Sequence, residues 1–319
     1  MNRIKCFTHN DLDGFGANII FKYLENENII EKADVINCSY DNINNNVMEY
    51  FNNKEYKNYD VTYITDISVT EENAEIINKI RKEENLIVVL LDHHKTATYL
   101  NKYDWCEVTE EIDGELVSGT WLLYHDLCLE GKLNNKTIRN GLYDIVENIR
   151  KYDTWLWKTK YNDEVPKKLN DLYGLLGYEM FLEEVLYSLY NMSDINKVVE
   201  DILYRNENML KVQQNKIDRY IKGKNKNIIT KFIEGYNVGI VFAEQYVSEL
   251  GNKLCELNSD LDLVAIIGNN SVSYRTIKDD VDVSKIAKIY GGGWHPKSSW
   301  NSINEEIIND YINNIFKIK

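Results

Sequence analysis

Residues 86–91 form the longest uninterrupted apolar run in the chain, and the run stops on Asp92-His93-His94. It is far too short for a membrane span, which needs about 20 residues. Apolar on both faces and made of leucine, isoleucine and valine, it reads as a strand buried inside a parallel sheet. The same arrangement recurs upstream. Residues 5–8 lean apolar and give way to His9-Asn10-Asp11-Leu12-Asp13, and residues 61–64 read as a strand that stops at Asp66. Between them the apolar period becomes helical, over 14–24 with Phe15, Ile19 and Phe21 on one face, and again over 70–81. Residues 33–37 supply a further strand. Strands alternating with helices predict right-handed βαβ units and an N-terminal doubly wound, parallel-sheet α/β domain.

Residues 118–204 read as mainly helical. Residues 195–220 are highly charged, with apolar residues at helical spacing, and predict a long joining helix. The expected organisation is a catalytic domain over 1–190, a helical linker over 191–225 and a smaller C-terminal α/β domain over 226–319. In the last, 237–242, 263–267 and 271–275 read as strands, and 246–257 and 283–290 as helices. Gly291-Gly292-Gly293 closes the second helix with more glycines than a C-cap needs.

Three of the five histidines and several aspartates stand where predicted strands end. In an open α/β sheet, ligands bind beyond the carboxyl ends of the strands. Taken singly, each piece is ordinary: Asp-x-Asp-Gly is often a loop or helix cap, Asp66 a strand-end cap, and a His-His pair a surface feature. Three such clusters at three strand ends point instead to a metal centre. Carboxylates this close repel unless protonated or neutralised by cations, and mixed imidazole and carboxylate donors suit divalent ions such as Mn²⁺. The formal net charge is −14, and no basic stripe appears in sequence order. Any nucleic-acid substrate is therefore expected to be short and held locally, because gripping long nucleic acid relies on neutralising many phosphates.

The set His9-Asn10-Asp11-Leu12-Asp13-Gly14, Asp66, Asp92-His93-His94 and Tyr152-Asp153 resembles the four motifs of the DHH phosphoesterase family. Ser273-Tyr274-Arg275, followed by Gly291-Gly292-Gly293-Trp294-His295-Pro296, is similar to the DHH-associated C-terminal domain. The opening motif and Lys151-Tyr152-Asp153-Thr154-Trp155 look closest to the nanoRNase B-like oligoribonucleases. The resemblance implies two divalent metal ions, manganese or alternatively magnesium. In it, His9 and Asp11 hold one ion, Asp13, His93 and Asp153 the other, and Asp66 bridges them. His94 faces the substrate phosphate as hydrogen-bond donor or general acid, and Asp92 orients a histidine. Arg275, Gly291, Gly292, Gly293, Trp294 and His295 are implied to bind the far end of a nucleotide, with the bond cut between the domains. Trp294 departs from the pattern: related domains carry a further glycine before the histidine, and a small-residue run follows it. That substitution bears on the base-side pocket, where the indole either stacks on a base or packs into the domain.

The implied activity is hydrolysis of short oligoribonucleotides to 5′ mononucleotides. The alternatives are a cyclic dinucleotide or 3′-phosphoadenosine 5′-phosphate as substrate, and then a single-stranded DNA exonuclease, for which no OB-like domain is evident. A pyrophosphatase lacks the glycine loop, and an inactive binding protein would not keep every ligand position. No obligate protein partner and no membrane association are expected. Five scattered cysteines, odd in number and without CxxC spacing, suit reduced thiols in the cytoplasm, and the polar N-terminus is unlike a secretory signal. His125, outside every motif, reads as structural.

Overall fold

The computed structural model describes residues 2–133, 141–192, 194–307 and 309; of these, the side chains of Ile195, Trp294 and His295 are not described. The chain divides into two compact units, Met1–Leu210 and Lys211–Lys319.

Unit 1 is built on five parallel strands: β1 (Arg3–His9), β2 (Lys32–Cys38), β3 (Val61–Thr65), β4 (Ile87–Asp92) and β5 (Cys106–Val108), in the order β2-β1-β3-β4-β5. Helix α1 (Leu12–Asn26) crosses from β1 to β2, α2 (Ile43–Asn52) from β2 to β3, and α3 (Glu71–Glu84) from β3 to β4. Alternation along β1 shows why both faces are covered. Ile4 and Cys6 join one apolar cluster with α1, while Phe7 joins a second with Val47, Phe51 and Ile77 of α2 and α3. β3 is buried at all five positions, as a central strand of such a sheet must be. The strand order reverses between β1 and β3, so the chain leaving these two strands opens onto the switch point where doubly wound folds place ligands.

Beyond β5, two short antiparallel strands, β6 (Glu111–Ile112) and β7 (Glu115–Leu116), precede the helices α4 (Gly119–Leu129), α5 (Leu142–Asp153), α6 (Leu156–Thr159), α7 (Val165–Asn191) and α8 (Val198–Arg205). Leu122, Leu123, Ile145, Ile149, Leu172 and Ile202 pack α4, α5, α7 and α8 onto the α1 side of the sheet. α7 is kinked at Gly177, whose φ of 69° and ψ of 179° are not helical. His125 stacks on Trp121 one turn earlier in α4, with ring centroids 5.0 Å apart.

The expected single helix over 195–220 is instead broken. A 3₁₀ turn (Ile195–Lys197) leads into α8, and α9 (Glu207–Asn225) starts after Asn206, whose side-chain amide turns back onto the Ile202 carbonyl at 2.9 Å. Asparagine competing for local backbone partners is a normal cause of such a break.

Unit 2 carries a mixed six-stranded sheet in the order β12-β13-β11-β10-β9-β8. Its members are β8 (Ile229–Ile233), β9 (Tyr236–Phe242), β10 (Leu263–Ile267), β11 (Ser271–Arg275), β12 (Gly293–His295) and β13 (Ser298–Ser302). Helices α10 (Val247–Leu257) and α11 (Val283–Ile289) cover its two faces, with Leu250 and Leu254 in one cluster and Val283 and Ile286 in the other. The glycine segment, expected as a loop, is only partly one: Gly293 already begins edge strand β12, paired with Trp300. No helix of the described residues is long and apolar enough to cross a membrane.

Candidate metal centre

The first cluster arises where β1 turns into α1. Asp11 is the N-cap of α1, and its Oδ1 accepts the Gly14 N–H at 3.0 Å, which satisfies one orphan donor of the helix. Its other oxygen, Oδ2, lies 2.8 Å from Nδ1 of His9, the last residue of β1. One aspartate thus caps a helix and presents a free oxygen toward an imidazole. Asp13, in the first turn of α1, is buried, and its carboxylate accepts the N–H groups of Gly119 at 2.6 Å and Thr120 at 3.1 Å. The N-terminus of α4 therefore fixes how Asp13 is oriented.

Asp66 follows β3 in a left-handed conformation, φ 58°, and is 1% exposed. Its Oδ1 lies 3.1 Å from His93 Nε2, and its Oδ2 lies 3.9 Å from His9 Nδ1. Close contact with α4 demands Gly119: a Cβ there would meet the Asp66 Cβ at 2.3 Å. Asp153 ends α5, and its Oδ2 lies 3.4 Å from the same His93 nitrogen, with Asp13 Oδ2 at 3.7 Å. Among the described residues, three sets of donor atoms lie close enough to share an ion: His9, Asp11 and Asp66; Asp13, His93 and Asp153; and Asp66, Asp92, His93 and His94.

These residues fit divalent cations. His9 Nδ1 and Asp66 Oδ2 are buried without a hydrogen-bond partner, although Asp11 stands near the former. That proximity lacks the alignment of a hydrogen bond, the relation expected of two donors aimed at a third centre. Burial, followed by the charges of Asp13 and Asp11, raises the Asp66 carboxyl well above the usual carboxylate range, and the same causes raise Asp153. Burial lowers His93 and keeps it neutral, the form that ligates. Protons or cations must neutralise such a cluster, and the orphaned atoms face inward, where cations would satisfy them.

Asp92 belongs to a different arrangement. Its Oδ1 accepts from the backbone N–H of His93 at 2.8 Å and lies 2.7 Å from His94 Nδ1, while its Oδ2 accepts from Ser68 Oγ at 2.5 Å. Burial alone would raise Asp92, yet the His94 and Ser68 hydrogen bonds outweigh it and hold the carboxyl below its ordinary value. The histidine it orients is therefore His94. Partial burial lowers His94, but the Asp92 bond prevails and its pKa is raised.

Tyr40 is a neighbour that sequence reasoning missed. Its hydroxyl lies 3.3 Å from His94 Nε2 and its ring centroid 5.0 Å from that of His9. The available signal was positional, since Tyr40 lies just past the carboxyl end of β2.

Unit 2 holds the other expected residues. Arg275 is half-buried, its Nη1 donating to the Tyr274 carbonyl at 2.9 Å and Nη2 to Ser248 Oγ at 3.3 Å, and its stem packs on Gly251. Among the described residues no carboxylate pairs with it. The glycines divide their work: Gly291 ends α11 with φ 77°, and a Cβ at Gly292 would meet the Trp300 carbonyl oxygen at 2.0 Å. The side chains of Trp294 and His295 lie outside what the structure describes.

No family model matches the chain. Oligoribonuclease NrnB of Bacillus subtilis (strain 168) is 37% identical over 317 residues, covering 98% of this chain and 76% of that protein. Among solved structures, exonuclease RecJ bound to manganese superposes with a TM-score of 0.53 at 11% identity, over 98% of this chain and 88% of that one. RecJ of Thermus thermophilus in complex with Mn²⁺ gives 0.50 at 11% identity, over 98% of this chain and 51% of that one. Identities this low show a shared fold alone. The likeness to NrnB runs along nearly the whole chain, and with it the chain belongs to the family of oligoribonuclease NrnB, among the DHH phosphoesterases.

Proposed function

We propose that this protein is a two-metal phosphodiesterase that hydrolyses short oligoribonucleotides to 5′ mononucleotides. One observation carries the reading: the donor sets His9–Asp11–Asp66 and Asp13–His93–Asp153 meet at the buried Asp66, whose two oxygens face one histidine of each set. In this reading Asp66 is the shared ligand, and the mixed nitrogen and oxygen donors suit Mn²⁺, with Mg²⁺ the alternative. Two such ions, when bound, supply the Lewis acidity that acidifies water and neutralises phosphate oxygens. Asp13 is held ready by the N-terminus of α4 and needs no reorganisation to ligate. His94, anchored through Nδ1 by Asp92, presents Nε2 to the substrate, and its raised pKa keeps a proton available for a phosphate or leaving-group oxygen. Arg275, a half-buried guanidinium, is assigned to a remote phosphate together with Gly291, Gly292, Gly293, Trp294 and His295. The cytoplasm is the compartment that fits unpaired cysteines.

The relative's name as an oligoribonuclease supports RNA of a few nucleotides as substrate. The test is turnover with Mn²⁺ or Mg²⁺ of 2–5-mer RNA, 20-mer DNA, cyclic dinucleotides and 3′-phosphoadenosine 5′-phosphate. Highest kcat/KM on the short RNA supports the proposal. Preference for any of the other three would replace it.

A further inference from the structure

Trp155 follows Asp153 by two positions, and two residues of chain separate their Cα atoms by at most about 7 Å. The residue is 52% exposed, and its backbone is left-handed, with φ 60° and ψ 5°. For a bulky side chain this conformation is an outlier that costs free energy, and outliers of this kind cluster at functional sites. The backbone alone makes the corner between α5 and α6. The Trp155 N–H donates to the Tyr152 carbonyl at 3.1 Å, and the Trp155 carbonyl accepts from Lys158 at 3.0 Å and Thr159 at 3.1 Å. Glycine would make the same bonds without strain.

The indole is therefore not required by the turn it sits in. Trp157 stacks on it with centroids 5.4 Å apart and planes at 24°, and Tyr152 stacks on Trp157 at 6.4 Å and 18°. Lys158 Nζ lies 5.9 Å from the Trp155 ring. The result is an aromatic stack ending in an exposed indole, with a cation beside it, in the segment that carries a candidate metal ligand. Single-stranded nucleic acid is bound by this combination: a π-face for a base and positive charge for the backbone.

We propose that Trp155 is a stacking platform for a nucleobase next to the scissile phosphate, so that unit 1 itself selects nucleotides over base-free phosphodiesters. The inference rests on the oligoribonucleotide reading above. It is distinct from any role of Trp294, which belongs to unit 2.

The test compares the parent, Trp155→Gly and Trp155→Tyr on an RNA dinucleotide and on bis(4-nitrophenyl) phosphate, which has no base. In Trp155→Gly the preference for the dinucleotide, as the ratio of kcat/KM values, should fall about 10- to 100-fold through KM, the range expected for losing one base stack. Its Tm should equal or exceed the parent's, because glycine relieves the left-handed strain, and Trp155→Tyr should keep most of the preference. A 5′ mononucleotide added in EDTA should quench tryptophan emission in the parent and much less in Trp155→Gly, a readout independent of turnover. An unchanged ratio with unchanged quenching would overturn the proposal. So would a lower Tm with equal losses on both substrates, which would make Trp155 a brace for the corner. If the parent hydrolyses bis(4-nitrophenyl) phosphate but no oligoribonucleotide, the substrate reading fails, and the quenching experiment still decides whether Trp155 takes a base.

Discussion

Asp92 Oδ1 and His94 Nδ1 lie 2.7 Å apart, a contact between residues two positions apart that turns the opposite ring nitrogen, Nε2, toward the Tyr40 hydroxyl. Asp92 accepts a further hydrogen bond from Ser68, so its carboxylate cannot swing toward the neighbouring donor sets without leaving a partly buried partner unpaired. In the proposed function this pair handles a proton.

The Asp92–His94 pair should be visible in kinetics. His94→Ala is expected to lower kcat by about 10²- to 10⁴-fold with metals still bound, the range for a lost general acid. Asp92→Asn should keep metal binding and shift the alkaline limb of the pH–rate profile to lower pH, because His94 loses the partner that raises its pKa. An alkaline limb unmoved in Asp92→Asn would show that His94 is not the titrating donor.

Gly119 offers a steric test of Asp66. A methyl group there meets the Asp66 Cβ at 2.3 Å, so Gly119→Ala must displace Asp66 or the start of α4 that holds Asp13. A shift of about 1 Å in a reacting constellation can cost about 10²-fold in rate, and a loss of that order is expected. Gly174→Ala, in α7 where nothing lies within 4 Å of the added methyl, is the control and should be neutral or stabilising by about 0.5–1 kcal/mol. Full activity in Gly119→Ala would show that the packing of α4 against Asp66 and Asp13 is uncritical.

These two predictions mark where the sequence is informative. A strand that stops on histidines and aspartates is visible in one dimension, because a parallel sheet delivers every strand end to the same edge. Ser68 and Gly119 act through tertiary contacts of which a serine and a glycine carry no local sign, and Tyr40 offers only its place just past the end of β2. In unit 2 the buried strands β9 and β10 have readable apolar runs. β8 is an edge strand exposed at four of its five positions, and β12 and β13 are rich in glycine, serine and tryptophan, so none of the three shows alternating apolar residues. The helix predicted over 195–220 fails at Asn206 because side-chain capping, not apolar spacing, decides where it ends.

Metal removal should invert the usual pH dependence of stability. Asp66 and Asp153 have folded-state pKa values well above those of the unfolded chain, so the folded state binds more protons. Their contribution is present below the unfolded value, near 3.9, and is lost as pH rises through the folded values. EDTA-treated protein should therefore show a Tm that falls as pH rises above that value, with Mn²⁺ stabilising more at higher pH, because binding releases those protons. A metal-free Tm that rises with pH above that value would contradict the carboxylate crowding.

Arg275→Ala should raise KM for short RNA with little change in kcat, since the guanidinium is assigned to a part of the substrate that does not react. Arg275→Lys should recover only part of the loss, because a lysine cannot offer a planar fork to a phosphate. A fall in kcat at constant KM would place Arg275 with the chemistry.

The central claim is that Asp66 joins two ions, and anomalous diffraction at the manganese edge from crystals soaked in Mn²⁺ tests it most directly. Two peaks about 3.5–4 Å apart are predicted. One should lie against His9 and Asp11, the other against Asp13, His93 and Asp153, with an Asp66 oxygen on each. Asp66→Ala should weaken both peaks together and leave turnover at no more than a few per cent of the parent's. A single peak, or two peaks of which Asp66 touches only one, would contradict the account.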